Sequence, residues 1–121
     1  MTIFSILYVK SVESSVAFYE KILGAAPLEN FPTFASFRLA ENHMLGIWCE
    51  PGVQPAGIGS GARTELCFDV ADRPELESKL ATWTSAGALV IQELSAMDFG
   101  DTFVVTDPDG HRLRAMVPRA G

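Results

Sequence analysis

Few side chains in this sequence are of types that do chemistry. His43 and His111 are the only histidines, and Cys49 and Cys67 the only cysteines. Each cysteine lies inside an apolar, strand-like run, and two thiols form neither a disulfide framework nor a closed zinc set, so both read as buried thiols. Each histidine sits beside a turn, Ala40-Glu41-Asn42-His43 or Asp107-Pro108-Asp109-Gly110-His111, and reads as a solvent-facing turn residue rather than a metal ligand. No Ser/His/Asp set, Cys/His pair, phosphate-binding glycine loop or flavin motif is present. What remains is charged residues set among aromatic ones, Glu65 and Arg114 among them, and where these point depends on the strands that carry them.

Phe4 to Val9 alternates and is rich in β-formers. From Ser11 the spacing becomes helical through Val12, Val16, Tyr19 and Leu23, and Gly24 closes the run. Ser11 is the expected N-cap and Gly24 the left-handed stop. Phe34 to Leu39 and Met44 to Cys49 then read as a hairpin. Pro51 to Gly61, with two prolines and four glycines in eleven residues, reads as a linker. Beyond it the order recurs: strand Glu65 to Val70, a helix capped by Asp72 carrying Leu76, Leu80 and Trp83, a short strand Leu89 to Leu94, and a hairpin from Asp101 to Thr106 and His111 to Val117. The expectation is an α+β fold of two βαβββ modules whose curved mixed sheets surround a cavity, with the helices on the outer face. One domain would span residues 1–121, with module 1 about 1–50, a linker at 51–61 and module 2 about 62–121.

Side chains alternate across a strand. If Leu7 and Val9 pack under the first helix, then Phe4, Ile6 and Tyr8 face the cavity. By the same parity so do Met44, Gly46 and Trp48, Glu65, Cys67 and Asp69, and Arg112, Arg114 and Met116. Large aromatics with a few placed polar groups suit a small-molecule pocket, although the same aromatics could simply fill the space between sheets. Phe31, Phe34 and Phe99 would join from adjoining loops, and Ser95 to Gly100 could act as a flap.

Composition narrows the class of function. Hydrophobic residues make up 48% and charged residues 20%, which favours a folded domain over disorder. The nine basic residues are scattered and the formal charge is −6, so no nucleic-acid partner is expected. No apolar run approaches the roughly 20 residues that cross a bilayer, and Met1 to Tyr8 lacks the features of a signal peptide. The expectation is a cytoplasmic protein with no membrane partner.

The string from Leu7 to Gly24, LYVKSVESSVAFYEKILG, closely resembles the opening of vicinal oxygen chelate proteins, and Phe103 to His111, FVVTDPDGH, resembles their closing hairpin. That superfamily includes glyoxalase I, extradiol dioxygenases, fosfomycin-modifying transferases, and bleomycin-resistance and mitomycin-binding proteins. Its enzymes generally hold one divalent metal, with a His or Gln at the start of each first strand and a Glu on each closing strand. Carried onto this sequence, those positions are Phe4, Gly46, Glu65 and Arg114. Only Glu65 can ligate, and Arg114 sets a permanent positive charge where the dication would sit. The resemblance therefore implies the metal-free bleomycin-resistance and mitomycin-binding branch, with no cofactor and an ion pair between Glu65 and Arg114 at the former metal position.

The leading expectation is a metal-independent protein that sequesters a small aromatic molecule such as a planar antibiotic. Its ligand-binding residues would be Phe4, Tyr8, Phe34, Trp48, Glu65, Phe99, Arg114 and Met116, and the family's habit implies a homodimer. The rivals are a lyase or isomerase using Glu65 as base beside Arg114, a metalloenzyme if the ligand positions are misassigned, and a module that kept the fold and lost the pocket.

Overall fold

The computed structural model describes residues 2–52 and 65–119. Its elements are β1 (Ile3–Val9), α1 (Val12–Leu23), β2 (Glu29–Asn30), β3 (Phe34–Ala40), β4 (His43–Cys49), β5 (Glu65–Asp69), α2 (Arg73–Ser85), β6 (Leu89–Met97), β7 (Gly100–Thr106) and β8 (Arg112–Pro118). A single 3₁₀ turn, Glu50–Gly52, follows β4. The chain divides into two compact units, Met1–Ser60 and Gly61–Gly121, each a βαβββ module. Apart from its first two residues, the expected linker lies outside the described residues.

In the first unit the strand order is β1-β4-β3-β2, with β1 parallel to β4 and the other pairs antiparallel. The second repeats it as β5-β8-β7-β6. These are the expected α+β modules with mixed sheets. Local chemistry sets the helix ends. Ser11 Oγ accepts from Ser14 N at 3.2 Å, and Gly24 ends α1 with φ of 67°. In α2, Asp72 Oδ1 accepts from Glu75 N at 2.9 Å while Glu75 Oε2 accepts from Ala71 N at 2.8 Å, so orphan amides are satisfied reciprocally.

Each helix covers one face of its sheet. Leu7, Val9, Phe37, Leu45 and Ile47 are buried with Val12, Val16, Tyr19 and Ile22 of α1. In the second unit Leu76 and Trp83 of α2 are buried, as are Phe103, Val105, Leu113 and Ala115 of the sheet. Trp83 meets Phe68 and Phe103 edge-on, at 5.2 and 5.4 Å between centroids.

Four local expectations need correction. Cys49 is only half-buried and Cys67 is exposed, because Cys67 points to the face of β5 that no helix covers. His43 is the first residue of β4, half-buried, with Nε2 2.7 Å from Ser5 Oγ. His111 is also half-buried; its backbone N donates to Asp107 Oδ1 at 2.8 Å, closing the turn that Asp107 organises. Ser95 to Gly100 is a hairpin tip and not a free loop: β6 runs to Met97, Asp98-Phe99 form a two-residue turn, and Met97 pairs with Gly100.

That hairpin is pinned from the other side. The Arg119 guanidinium donates to the Met97 and Asp98 carbonyls, and Arg119 N donates to Phe99 O at 3.0 Å. Gly100 has φ of 146°, and a Cβ there would lie 2.0 Å from the Val117 carbonyl oxygen. Gly24, also at positive φ, has open space around it. Gly100→Ala should therefore cost roughly 2–4 kcal/mol, through backbone strain and clash together, whereas Gly24→Ala should cost about 1 kcal/mol. Urea unfolding of both variants measures this; equal losses would mean the β7–β8 contact yields freely.

Candidate functional site

The uncovered face of each sheet carries the residues singled out above, and the two units differ there. In the first, Phe4, Ile6 and Tyr8 are 50%, 43% and 42% exposed. Tyr8 pairs in register with Trp48, and their rings meet edge-on with centroids 6.4 Å apart. Phe34 is the first residue of β3 and not a loop residue. A Cβ on Gly46 would sit 3.2 Å from Phe34 Cε1 and Cζ and from Ile6 Cγ1, so the Phe34 ring occupies the space beside Gly46. Met44 shares that face by alternation but is buried.

Phe31 departs from expectation. It lies on the helix side, lining an open groove of about 570 Å³ with Val12, Val16, Ala17, Glu20 and Pro32. None of the eight expected binding residues lines that groove.

In the second unit the open face is polar and tightly connected. Arg114 Nε donates to Glu65 Oε2 at 2.9 Å, with 15% of the arginine side chain and 31% of the glutamate side chain exposed. Arg114 Nη1 donates to Gln92 Oε1 and to Thr102 Oγ1, each at 3.2 Å. Thr102 is buried and its hydroxyl donates onward to Ala115 O at 2.7 Å, which aims its lone pairs at Arg114. Gln92 Nε2 reaches Met97 Sδ at 3.2 Å, leaving Oε1 turned to the guanidinium. The Arg114 guanidinium carbon lies over the Phe99 ring, 5.4 Å from its centroid. Met116 is half-buried on the same face of β8 as Arg114.

The expected Glu65–Arg114 ion pair is present; Gln92 and Thr102 were not anticipated. The repeat holds a signal for Thr102. In register Phe34 stands opposite Trp48, two residues beyond Gly46, and Thr102 stands opposite Met116, two beyond Arg114. Where one module has a ring against glycine, the other has a hydroxyl against arginine.

Titration on this face is shifted away from neutrality. Burial alone would raise the Glu65 pKa, but the hydrogen bonds from Arg114 and Cys67 and the charges of Arg114 and Arg112 outweigh it and hold the carboxyl below its ordinary value. Cys67 is pushed up by burial, by its 3.5 Å contact with Glu65 and by the charges of Glu65 and Asp69, against a smaller opposing effect of Arg114.

Comparison with known proteins agrees with this architecture. Residues 2–115 match the family model described as the Glyoxalase/Bleomycin resistance protein/Dioxygenase superfamily. The chain belongs to that superfamily. A protein of Agrobacterium tumefaciens solved by NMR is 38% identical, with 97% of this chain and 96% of that one covered at a TM-score of 0.87. A glyoxalase-related enzyme from Fulvimarina pelagi matches at the same TM-score with 21% identity, over 97% of this chain and 87% of that one, which speaks to the fold. The phenazine antibiotic resistance protein EhpR of Enterobacter agglomerans is 28% identical over 112 residues, covering 90% of this chain and 85% of its own length.

The superfamily's metal can be tested against these residues. Of the four family positions, Phe4 and Gly46 bring no donor, and Phe34 fills the space beside Gly46. Glu65 is committed to Arg114, whose guanidinium stays charged. No group of three or more His, Cys, Asp or Glu side chains among the described residues could hold a metal ion. The residues present do not fit a superfamily metal centre.

The linkage sign for Glu65 follows from its lowered pKa: the stabilisation is fully present above the unfolded value near 4.5 and is lost as pH falls through the folded value. Glu65→Gln should cost roughly 1–2 kcal/mol at pH 7, and the gap to the natural protein should close below about pH 4.5. Urea midpoints of both proteins from pH 7 to pH 3 check this; a gap that widened with acid would contradict the sign. Arg119→Ala should speed amide exchange in β6 and β7 next to the Asp98-Phe99 turn and leave β1–β4 unchanged, as hydrogen–deuterium exchange can read.

Proposed function

We propose that this chain is a metal-independent binding protein that holds a flat aromatic small molecule and leaves it unchanged. The observation that carries the reading is the Glu65–Arg114 pair, which puts a braced guanidinium where the superfamily's enzymes would need ligands. The open faces add stacking surface. Phe4, Tyr8 and Trp48 present rings on the first unit, and Phe99 and Met116 apolar surface on the second. Glu65 is poorly suited to act as a base, because its carboxyl is held below its ordinary range and a general base works best near ambient pH. The relative named for phenazine antibiotic resistance supports a planar, fused-ring ligand and a protective role by containment.

A thermal-shift series on chelator-treated protein tests this. Phenazine at about a hundred times its dissociation constant should stabilise the fold by about 2.7 kcal/mol, raising Tm by roughly 10 °C. Nickel, zinc, manganese or iron(II) should move Tm by less than about 1 °C, since an ion with no preference for the native state shifts nothing. A selective, reversible rise with one of these metals would overturn the metal-independent reading. Flat Tm values for phenazine and for mitomycin-type and bleomycin-type drugs would overturn the aromatic one.

A further inference from the structure

The hydrogen bonds of Arg114 leave one edge of its guanidinium uncommitted. Nε is spent on Glu65, and Nη1 on Gln92 and Thr102. Nη2 has no partner among the described residues. It is also not sealed in: Trp83 Nε1 is the one buried, unpartnered side-chain nitrogen or oxygen among them. Nη2 therefore keeps donor capacity that no described residue takes up, on a guanidinium held by Glu65, Gln92 and Thr102 and on one face by Phe99.

The charge around that edge decides what it suits. Glu65 lies against the guanidinium at 2.9 Å. Alternation puts Asp69 on the same face of β5 as Glu65, and Arg112 on the same face of β8 as Arg114. The two carboxylates and two guanidiniums cancel. A carboxylate ligand would gain Arg114 but meet Glu65 close by, within a chain of formal charge −6. A cation would meet the donor edge itself. A neutral oxygen acceptor, such as a ring carbonyl or an N-oxide, accepts from one of these N–H groups without either repulsion.

We propose that the Nη2 edge of Arg114 selects, among flat aromatic ligands, those bearing a neutral oxygen acceptor on the ring edge. This rests on the aromatic-ligand reading and adds to it which polar group the ligand carries. Preorganisation favours the contact, because the donors are fixed before binding and cost little further ordering.

The test uses three tricyclic probes and isothermal titration calorimetry on the full chain: fluorene, 9-fluorenone, which adds one carbonyl oxygen to the same ring system, and fluorene-1-carboxylate. The natural protein should bind fluorenone about tenfold more tightly than fluorene, the worth of a good hydrogen bond to a charged donor, and more tightly than the carboxylate. Glu65→Gln keeps an acceptor for Nε and removes the charge. It should raise the affinity of the carboxylate about tenfold relative to that of fluorenone. The double variant Glu65→Gln/Arg114→Met should bind fluorenone no better than fluorene, with its urea midpoint reporting that it is folded.

Equal binding of fluorene and fluorenone to the natural protein would overturn the acceptor proposal and leave the aromatic reading standing. Tighter binding of the carboxylate would overturn it in favour of an anion site. Failure of both neutral probes to bind would overturn the aromatic reading and the proposal with it.

Discussion

Each four-stranded sheet has one helix, and one helix can cover only one face. Because side chains alternate along a strand, that single fact sorts every strand into a packed set and an open set. Val9 is buried against the helix layer and Tyr8 is open; Leu113 is buried and Arg114 reaches the other side. The packed sets are interchangeable hydrophobes with aromatic fillers, Tyr19 and Phe37 in one unit, Trp83 and Phe103 in the other. The open sets carry what distinguishes the protein, since substitutions there change surface chemistry without opening a cavity in the core.

Duplication supplied two open faces, and they have diverged in opposite directions. In the first unit the lack of a side chain at Gly46 admits the Phe34 ring, and a Cβ restored there would press on Phe34 and Ile6 at 3.2 Å. In the second unit the matching position holds a long cation. Taking a guanidinium largely out of water costs several kcal/mol unless charge and hydrogen bonds offset it, and Arg114 finds Glu65, Gln92, Thr102 and the face of Phe99. Phe99 is available for this because Arg119 and Gly100 hold the β6–β7 turn in place. The polar cluster is thus tied to backbone geometry at the end of the sheet.

What could be read from residues alone was whatever depends on short-range chemistry. The Ser11 and Asp72 caps, the Gly24 stop and the period-two alternation act within a few residues, and all were legible. The Glu65–Arg114 contact was legible through the resemblance, which put both residues at the family's metal positions, and the parallel β5–β8 pair brings them together on one face. Gln92 was not, since it reaches Arg114 only through a strand whose register to β7 shifts on both sides of Gln92, and nothing local announces such irregularities. That Ser95 to Gly100 forms a pinned hairpin tip was not legible either, because the residue that binds its carbonyls, Arg119, lies beyond β8. Cys67 failed differently. Its apolar run was taken to be buried throughout, but Cys67 lies on the face of β5 opposite α2 and is exposed.

The protonation states of the second unit's open face bear on what it can do. Two groups there are candidates for moving a proton near neutral pH, and each is driven away from neutrality by the other's neighbourhood. Arg114 and the Cys67 thiol stabilise the Glu65 carboxylate and lower its pKa; the resulting negative charge, with burial, raises that of Cys67. Both shifts share one contact, the hydrogen bond that the Cys67 thiol donates to Glu65 Oε2 at 3.5 Å. The shifts favour an ionised Glu65 carboxylate and a neutral Cys67 thiol near pH 7, beside a guanidinium that stays charged in proteins. Acid–base catalysis asks for a group poised to change state during the reaction. Recognition asks for donors and acceptors that stay as they are, which is what the proposed binding role would require of this face.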